Sequence, residues 1–316
     1  MRSTTKIILT ILLVILFALA FWHFNLKVLL ADHYFRDAIK SRMKEDWPAS
    51  LQNYEKVFKY RPKEPEYQRR FAMDLLWGLD FYKAEESKIK ILNLAIERMN
   101  QIPQKEQVFE VKSYLGQILS KKASLTRDEI DFDLAEKAFS QIAEISPKMA
   151  GIYNDWCQLK IYEENWEEGL EMCRKAWGLY PALDHPQMAP AHRDQVISEM
   201  AQVYEKLGQI YFKLKNYQKA EEMYIQVLKF MPLGRPDIWK KIADIYYVQG
   251  DLDTAIQKNL HGYALNPKDP AWPLALGLLY EEKGDPGQAK FYGQKALELA
   301  PEDERISSFL ESIDRK

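Results

Sequence analysis

Residues 239–267 read WKKIADIYYVQGDLDTAIQKNLHGYALNP, and residues 273–301 read PLALGLLYEEKGDPGQAKFYGQKALELAP. The two stretches align without a gap at a spacing of 34 residues. A fixed period of this length indicates an array of like helical hairpins, each of which packs on its neighbours. The same frame fits three further segments, so that five repeats begin at Ala31, Ala150, Ala201, Pro236 and Pro270.

Two columns of this alignment contain only small residues. Small side chains at these positions allow the two helices of a repeat to approach closely, which is the reason to expect them in every repeat. Position 8 holds Ala38, Cys157, Gly208, Ala243 and Gly277, and position 20 holds Ser50, Gly169, Ala220, Ala255 and Ala289.

Two other columns predict where the second helix of each repeat begins and ends. Asp or Asn at position 16 is a good N-cap, because its side chain accepts a hydrogen bond from a free backbone N–H group. Proline at position 32 ends the helix. Position 16 holds Asp46, Asn165, Asn216, Asp251 and Asp285, and position 32 holds Pro62, Pro181, Pro232, Pro267 and Pro301.

The pattern of small, aromatic and proline positions closely resembles the tetratricopeptide repeat (TPR). This resemblance implies an all-α fold, a TPR-type right-handed α-solenoid of about seven helix pairs. The repeats would lie near residues 31–64, 65–103, 104–149, 150–183, 201–234, 236–269 and 270–303, followed by a capping helix at 304–316.

Three parts of the chain depart from the pattern. Residues 65–103 and 104–149 are degenerate repeats with apolar residues at helical spacing, and the second has an inserted loop near residues 124–131. In the repeat that begins at Pro236, Asn259 replaces the usual aromatic residue at position 24, and Gly262 stands at position 27.

The N-terminal segment is strongly apolar. Residues 7–24 carry no charge, and a helix of 18 to 20 residues spans roughly 27–30 Å, the thickness of a lipid hydrocarbon core. We expect residues 1–30 to be a single-pass anchor that contacts the bilayer through residues 7–26. The alternative is a signal peptide cleaved after Ala20, which would release a secreted or periplasmic protein. The flanking cations favour a cytoplasmic body only slightly, so the side of the membrane stays open.

The TPR resemblance also implies a groove lined by first-helix positions 5, 9 and 12, which share one helix face. Such a lining of amides, aromatic rings and mixed charge suits a peptide or a partner helix. The pattern that some relatives use to clamp a terminal carboxylate is absent, because Asp244 follows Lys240 where an asparagine is needed. The candidate groove residues are Asn154, Gln158, Tyr162, Glu205, Gln209, Phe212, Lys240, Asp244, Tyr247, Leu274 and Leu278.

A second resemblance is looser. An apolar helix that leads into paired helices is similar to the C-terminal repeat tail of bacterial O-antigen ligase or polymerase-like membrane proteins. This similarity implies a role in envelope or polysaccharide assembly, without the catalytic part.

The remaining sequence features favour a scaffold without enzymatic activity and without a cofactor. The net charge of -2 gives no reason to expect a nucleic acid as partner. His185 and His192, in the proline-containing loop of residues 182–194, match no metal-binding spacing, so an enzyme with a metal site there is the weaker alternative.

The chain has two cysteines, Cys157 and Cys173. We interpret them as small apolar core residues, with one disulfide between them as the alternative.

Overall fold

The computed structural model describes residues 2–102, 109–181, 189–231 and 235–315, except for the side chains of residues 2–7 and 24. These residues form helices and no β-strand, which confirms the expected all-α class. Pro232 and His185, which the sequence singles out, lie outside the described residues. The chain divides into an N-terminal half, Met1–Lys148, and a C-terminal half, Met149–Lys316.

The N-terminal half contains an apolar core whose buried residues run from Ala31 to Ile118. A π-helical turn, Trp22–Leu26, joins its first two helices, and a 3-10 turn, Leu79–Phe81, follows the fourth. The helices are α1 (Arg2–Phe21), α2 (Lys27–Met43), α3 (Trp47–Tyr60), α4 (Pro65–Gly78), α5 (Glu85–Asn100), α6 (Phe109–Thr126) and α7 (Glu129–Ile145).

Within residues 149–181, 189–231 and 235–315, the C-terminal half forms four helix pairs and a final single helix. Each helix packs against the next one along the chain, and α10 also contacts α8. The helices are α8 (Ala150–Tyr162), α9 (Trp166–Leu179), α10 (Pro190–Lys213), α11 (Tyr217–Phe230), α12 (Asp237–Val248), α13 (Leu252–Leu265), α14 (Ala271–Glu282), α15 (Pro286–Leu299) and α16 (Glu304–Asp314).

The turn inside each of the five clear repeats is built in one way. The residue before the N-cap has a positive φ, between 58° and 81°, which reverses the chain within two residues. The N-cap side chain then accepts a hydrogen bond of 3.0–3.3 Å from the backbone N–H three residues on. The predicted caps are therefore confirmed at Asp46, Asn165, Asn216, Asp251 and Asp285.

The small residues at positions 8 and 20 are buried where the two helices of a repeat meet. In the first repeat, the Ser50 hydroxyl on α3 donates a 3.0 Å hydrogen bond to the backbone carbonyl of Ala38 on α2. In the fourth clear repeat, Ala243 and Ala255 are almost fully buried. Close approach of the two helices, which is the reason to expect small residues at positions 8 and 20, is thus confirmed in both repeats.

The expected loop at residues 124–131 is wrong. Helix α6 continues to Thr126 and α7 begins at Glu129, so only two residues separate them. Arg127 adopts a φ of 55°, and the Asp128 side chain accepts a 2.9 Å hydrogen bond from the Ile130 N–H. This degenerate repeat therefore shares the positive φ and the N-cap of the clear ones, but its cap bonds the N–H two residues on, and its residues fall outside the alignment frame.

A charged cluster lies inside the N-terminal half. Asp74 on α4 is 2% exposed and accepts a 2.7 Å hydrogen bond from the Tyr54 hydroxyl on α3. Its carboxylate also pairs with the Arg42 guanidinium at 3.4 Å and with that of Arg70 at 3.2 Å. Burial raises the pKa of the Tyr54 hydroxyl above its ordinary value, and the Asp74 charge raises it further. Tyr54 therefore stays a donor at neutral pH.

The two cysteines form a disulfide that joins α8 to α9. Their interpretation as unpaired core residues is therefore wrong, although both are fully buried. Cys157 stands at position 8 and Cys173 at position 24, and their Cα atoms lie 5.2 Å apart. Because this distance depends on how closely the two helices pack, the spacing in sequence could not decide between the alternatives.

Helix α1 presents apolar side chains to the surroundings. All seven consecutive residues from Ile11 to Phe17 are exposed. Nevertheless, no helix within the described ranges meets the length and apolarity needed to cross a membrane. The single-pass anchor therefore stays a proposal.

Candidate partner-binding groove

Part of the predicted groove is closed by bonds within the chain. Asn154 on α8 is buried, and the Lys206 ammonium on α10 donates to its backbone carbonyl at 2.9 Å and to its Oδ1 at 2.7 Å. Burial lowers the pKa of the Lys206 ammonium to about 8, even though the Asp155 and Glu205 charges act to raise it. Asn154 thus holds α10 against α8.

A second bonded cluster joins α10 to the beginning of α12. The Glu205 carboxylate accepts from Arg235 at 2.7 Å and from Lys241 at 2.6 Å, and Arg235 also bonds Asp237 at 2.7 Å. Burial alone would raise the pKa of the Glu205 carboxyl, but the hydrogen bonds from the two cations hold it below its ordinary value. The Glu205 carboxylate is therefore charged at neutral pH, and its ion pairs hold α10 against the beginning of α12.

The predicted groove is open one repeat further along the chain. A pocket of about 190 Å³ lies between α12, α13 and α14, and we call it the Asn259 pocket. It brings together four of the predicted groove residues, from two consecutive repeats. Its lining is Lys240, Ala243, Asp244, Tyr247, Asn259, Ala275, Leu278, Leu279 and Glu282.

The pocket lies where the repeat pattern lacks an aromatic residue. In the preceding repeat, position 24 is Tyr224, whose ring covers position 8 so tightly that a Cβ on Gly208 would lie 2.5 Å from its Cε1 atom. The corresponding pair in the pocket is Asn259 and Ala243. Because an asparagine fills less space than a tyrosine, the ring's place beside Ala243 is left open.

The polar groups of the pocket are only partly satisfied. The Asn259 Nδ2 group donates a 3.0 Å hydrogen bond to the Ala255 carbonyl, whereas its buried Oδ1 has no hydrogen-bond partner. The Lys240 ammonium stands 3.6 Å from the Asp244 carboxylate, as an exposed pair. The Tyr247 hydroxyl bonds Glu282, and this hydrogen bond raises its pKa.

The other predicted groove residues do not line the Asn259 pocket. Leu274 and Gln209 are half-buried, and the Phe212 ring packs against Tyr217 at 5.7 Å between ring centroids. Gln158 and Tyr162, both half-buried on α8, also lie outside its lining. The pocket residues that the sequence missed come from all three helices: Ala243 on α12, Asn259 on α13, and Ala275, Leu279 and Glu282 on α14.

The alternative metal site falls partly outside the structure. His185 is not among the described residues, whereas His192 lies in α10. Across the part of the chain that the structure describes, no group of three or more His, Cys, Asp or Glu side chains is placed to hold a metal ion.

Comparisons with known proteins agree with the repeat pattern. A family model described as tetratricopeptide repeat matches residues 201–230 and 274–303. The chain is similar to the photosystem I assembly protein Ycf3 of Prochlorococcus marinus (strain MIT 9211), with 34% identity over 77 residues, 24% of this chain and 44% of that protein. It is also similar to the human protein O-mannosyl-transferase TMTC1, with 23% identity over 209 residues, 58% of this chain and 23% of that protein. The chain thus spans less than half the length of either relative.

One solved structure shows the fold. The crystal structure of BtubC (BKLC) from P. vanneervenii superposes with a TM-score of 0.52 at 18% identity, over 73% of this chain and 93% of that chain. At this identity the similarity concerns the arrangement of helices alone. Two segments of the chain thus match the tetratricopeptide repeat, and the chain shares with this neighbour an all-α array of paired helices.

Proposed function

We propose that the chain is a non-enzymatic interaction scaffold that binds a segment of a partner protein in the Asn259 pocket and along the adjoining faces of α12 and α14. The observation that carries this proposal is the pocket itself, which opens among Lys240, Asp244, Tyr247 and Leu278. Tyr247 and Leu278 are exposed and offer a ring and an aliphatic side chain to a ligand. Exposed apolar side chains beside a pocket are typical of binding surfaces.

The proposal includes the repeat boundaries predicted from the sequence. It excludes Asn154 and Glu205, which bond within the chain, and keeps the other groove residues as secondary contacts: Gln158, Tyr162, Gln209, Phe212 and Leu274. The name of the relative Ycf3 refers to assembly, which agrees with a scaffold. The matched region covers 23% of the transferase relative, and we carry no transferase activity over from it. In its most general form, we extend the proposal to a role in envelope or polysaccharide assembly.

Selection from a random peptide library tests the groove. We expect the wild-type chain to enrich a peptide, and we expect replacement of Tyr247 and Leu278 by alanine to weaken its binding about tenfold or more, because central apolar contacts dominate such interfaces. Fluorescence anisotropy with the labelled peptide gives the dissociation constants.

A matched variant controls for the loss of exposed apolar surface. Val248 and Leu299 are exposed to a similar degree but lie outside the pocket lining, so their replacement by alanine should leave the affinity unchanged. Failure to enrich any peptide, or equal loss of affinity in both variants, would contradict the groove assignment.

We also propose that α1 tethers the chain to a membrane. The exposed residues from Ile11 to Phe17 cover nearly two helical turns, so apolar side chains point in every direction around the helix. A cavity of about 640 Å³ lies beside the π-helical turn between α1 and α2. Its lining includes Lys27 and Lys63, together with Arg61, which pairs with Glu64. Cations at this level suit contact with lipid phosphates. The Cys157–Cys173 disulfide favours a location of the repeats on the oxidising side.

Extraction of membranes at alkaline pH tests the tether. We expect the chain to stay with the membrane pellet, and we expect a variant that lacks residues 2–26 to appear in the supernatant. N-terminal sequencing of the expressed protein decides the alternative, because a mature chain that begins at Phe21 would show cleavage and contradict a lasting anchor.

A further inference from the structure

The cavity beside the π-helical turn is large and has two walls, and we call it the Lys27 cavity. One wall carries His23 of this turn and Lys27, the first residue of α2. The other wall is the segment of residues 60–65, which ends α3 and leads into α4. A volume of about 640 Å³ equals roughly twenty water molecules at ~30 Å³ each, which is room for a polar headgroup.

The lining of this cavity has a surplus of positive charge. Arg61 pairs with Glu64, so these two charges offset each other. Among the residues that the structure describes, no acid pairs with Lys27 or Lys63, which are half-buried and exposed, respectively. Two uncompensated ammonium groups, each with three N–H donors, therefore line the cavity and favour an anion.

The wall that carries Lys63 is held in shape before any ligand binds. The Arg61 backbone N–H donates a 2.9 Å hydrogen bond to the Val57 carbonyl at the end of α3. The side chain of Gln68, which is fully buried, donates to the Pro62 carbonyl. Because the backbone just before Lys63 is fixed from two sides, little ordering of this wall opposes binding.

The cavity adjoins the helix that we propose as the membrane tether. Residues 11–17 of α1 expose apolar side chains, and Phe21 and Trp22 are exposed directly before His23. Aromatic side chains are enriched at the depth of the lipid headgroups. In a tethered chain, Lys27 and residues 60–65 therefore lie at the level of the phosphates, where clustered cations attract anionic lipids.

We infer that the Lys27 cavity binds the headgroup of one anionic phospholipid, with Lys27 and Lys63 on its phosphodiester group. This inference rests on the proposed tether, because it names the class of lipid that the tethered chain selects. Residues 60–65 then form a second contact with the membrane beside α1, and this contact orients α3 and α4 on the bilayer surface.

Native mass spectrometry of the full chain in nanodiscs tests the inference. The nanodiscs contain phosphatidylglycerol and phosphatidylcholine in equal amounts, and the signal is the ratio of the two lipids that stay bound to the chain. We expect about tenfold more phosphatidylglycerol or above, because each lysine near a lipid surface contributes a factor of about five. Equal retention of the two lipids would overturn the inference.

Two double variants locate the effect. Lys27→Gln with Lys63→Gln removes both charges at residues that are not buried, and it should lower the ratio to about two or less. Lys83→Gln with Lys112→Gln makes an equal change of charge in the same half, at one exposed and one half-buried lysine outside the lining. This second variant should keep the wild-type ratio, and equal loss in both variants would contradict a specific site.

Inorganic phosphate distinguishes a lipid headgroup from a free phosphate ion. A lipid in the same bilayer is presented to the cavity at a high effective concentration, so millimolar inorganic phosphate in the nanodisc solution should leave the ratio unchanged. Loss of the phosphatidylglycerol excess under this condition would show a site for free phosphate and contradict the lipid assignment.

The tether and this inference fail in different ways. If the chain stays with the membrane pellet at alkaline pH but retains both lipids equally, the tether stands and the inference fails. If the mature chain begins at Phe21 and still sediments with vesicles of phosphatidylglycerol but not with vesicles of phosphatidylcholine, the cavity chemistry stands and the tether fails.

Discussion

Replacement of Asp74 by asparagine is expected to lower the free energy of unfolding by about 3 kcal/mol, because a buried ion pair that loses one partner leaves its other charges uncompensated. The Asp74 carboxylate is the common partner of Tyr54, Arg42 and Arg70. The side chains of Arg42 and Arg70 are 17% and 30% exposed, so water compensates them only in part. We therefore place the effect at the lower end of the range for buried pairs. Urea denaturation followed by circular dichroism gives the value.

Asp80 provides the matched control for this variant. It lies in the same half, is 86% exposed and pairs with Lys88 at 3.5 Å. Because exposed pairs contribute little, Asp80→Asn should change the free energy of unfolding by less than about 1 kcal/mol. If Asp74→Asn and Asp80→Asn unfold at the same urea concentration, the buried cluster does not stabilise the N-terminal half.

Features with a local chemical cause could be predicted from the sequence. The cap at Asp251 and its bond to the Thr254 N–H depend on residues three apart in one turn, and the same holds for Asp285 and Gln288. The burial of the small residues at positions 8 and 20 also has a local cause, because a short turn brings the two helices of one repeat against each other. These constraints were enough to predict the all-α class and the repeats.

The open and closed parts of the groove could not be predicted in this way. Asn154 and Lys240 hold the same position in their repeats, yet Asn154 is buried under Lys206 while Lys240 stands exposed beside a pocket. The difference depends on side chains from neighbouring helices, such as Lys206 on α10. The alignment of repeats does not show which of these side chains contact each other. Only a weak signal was present in the sequence: Asn259 stands where Tyr54 and Tyr224 provide a ring, but Cys173 and Gly293 also lack a ring at this position, so the signal did not single out the pocket.

The disulfide had no such signal, and its expected effect is large. Reduction of the Cys157–Cys173 bond should lower the free energy of unfolding by about 3 kcal/mol, because the bond closes a loop of similar length to the 15 residues for which chain entropy predicts that value. The two cysteines are 16 residues apart in sequence and both are fully buried. Guanidinium denaturation with and without a phosphine reductant measures the difference, and thiol titration of the unfolded chain reports whether the bond was present.

A double variant separates the bond from the packing of the sulfur atoms. Cys157→Ala with Cys173→Ala should be insensitive to the reductant, and it should be somewhat less stable than the reduced wild type. Position 24 carries Tyr54 and Tyr224 in other repeats, so alanine at residue 173 leaves space that the sulfur partly fills. An unreduced wild type that shows two free thiols, or a wild type whose denaturation midpoint does not move when the bond is reduced, would contradict a stabilising disulfide between α8 and α9. The first result would also remove the argument that the repeats lie in an oxidising compartment, because that argument depends on the bond alone.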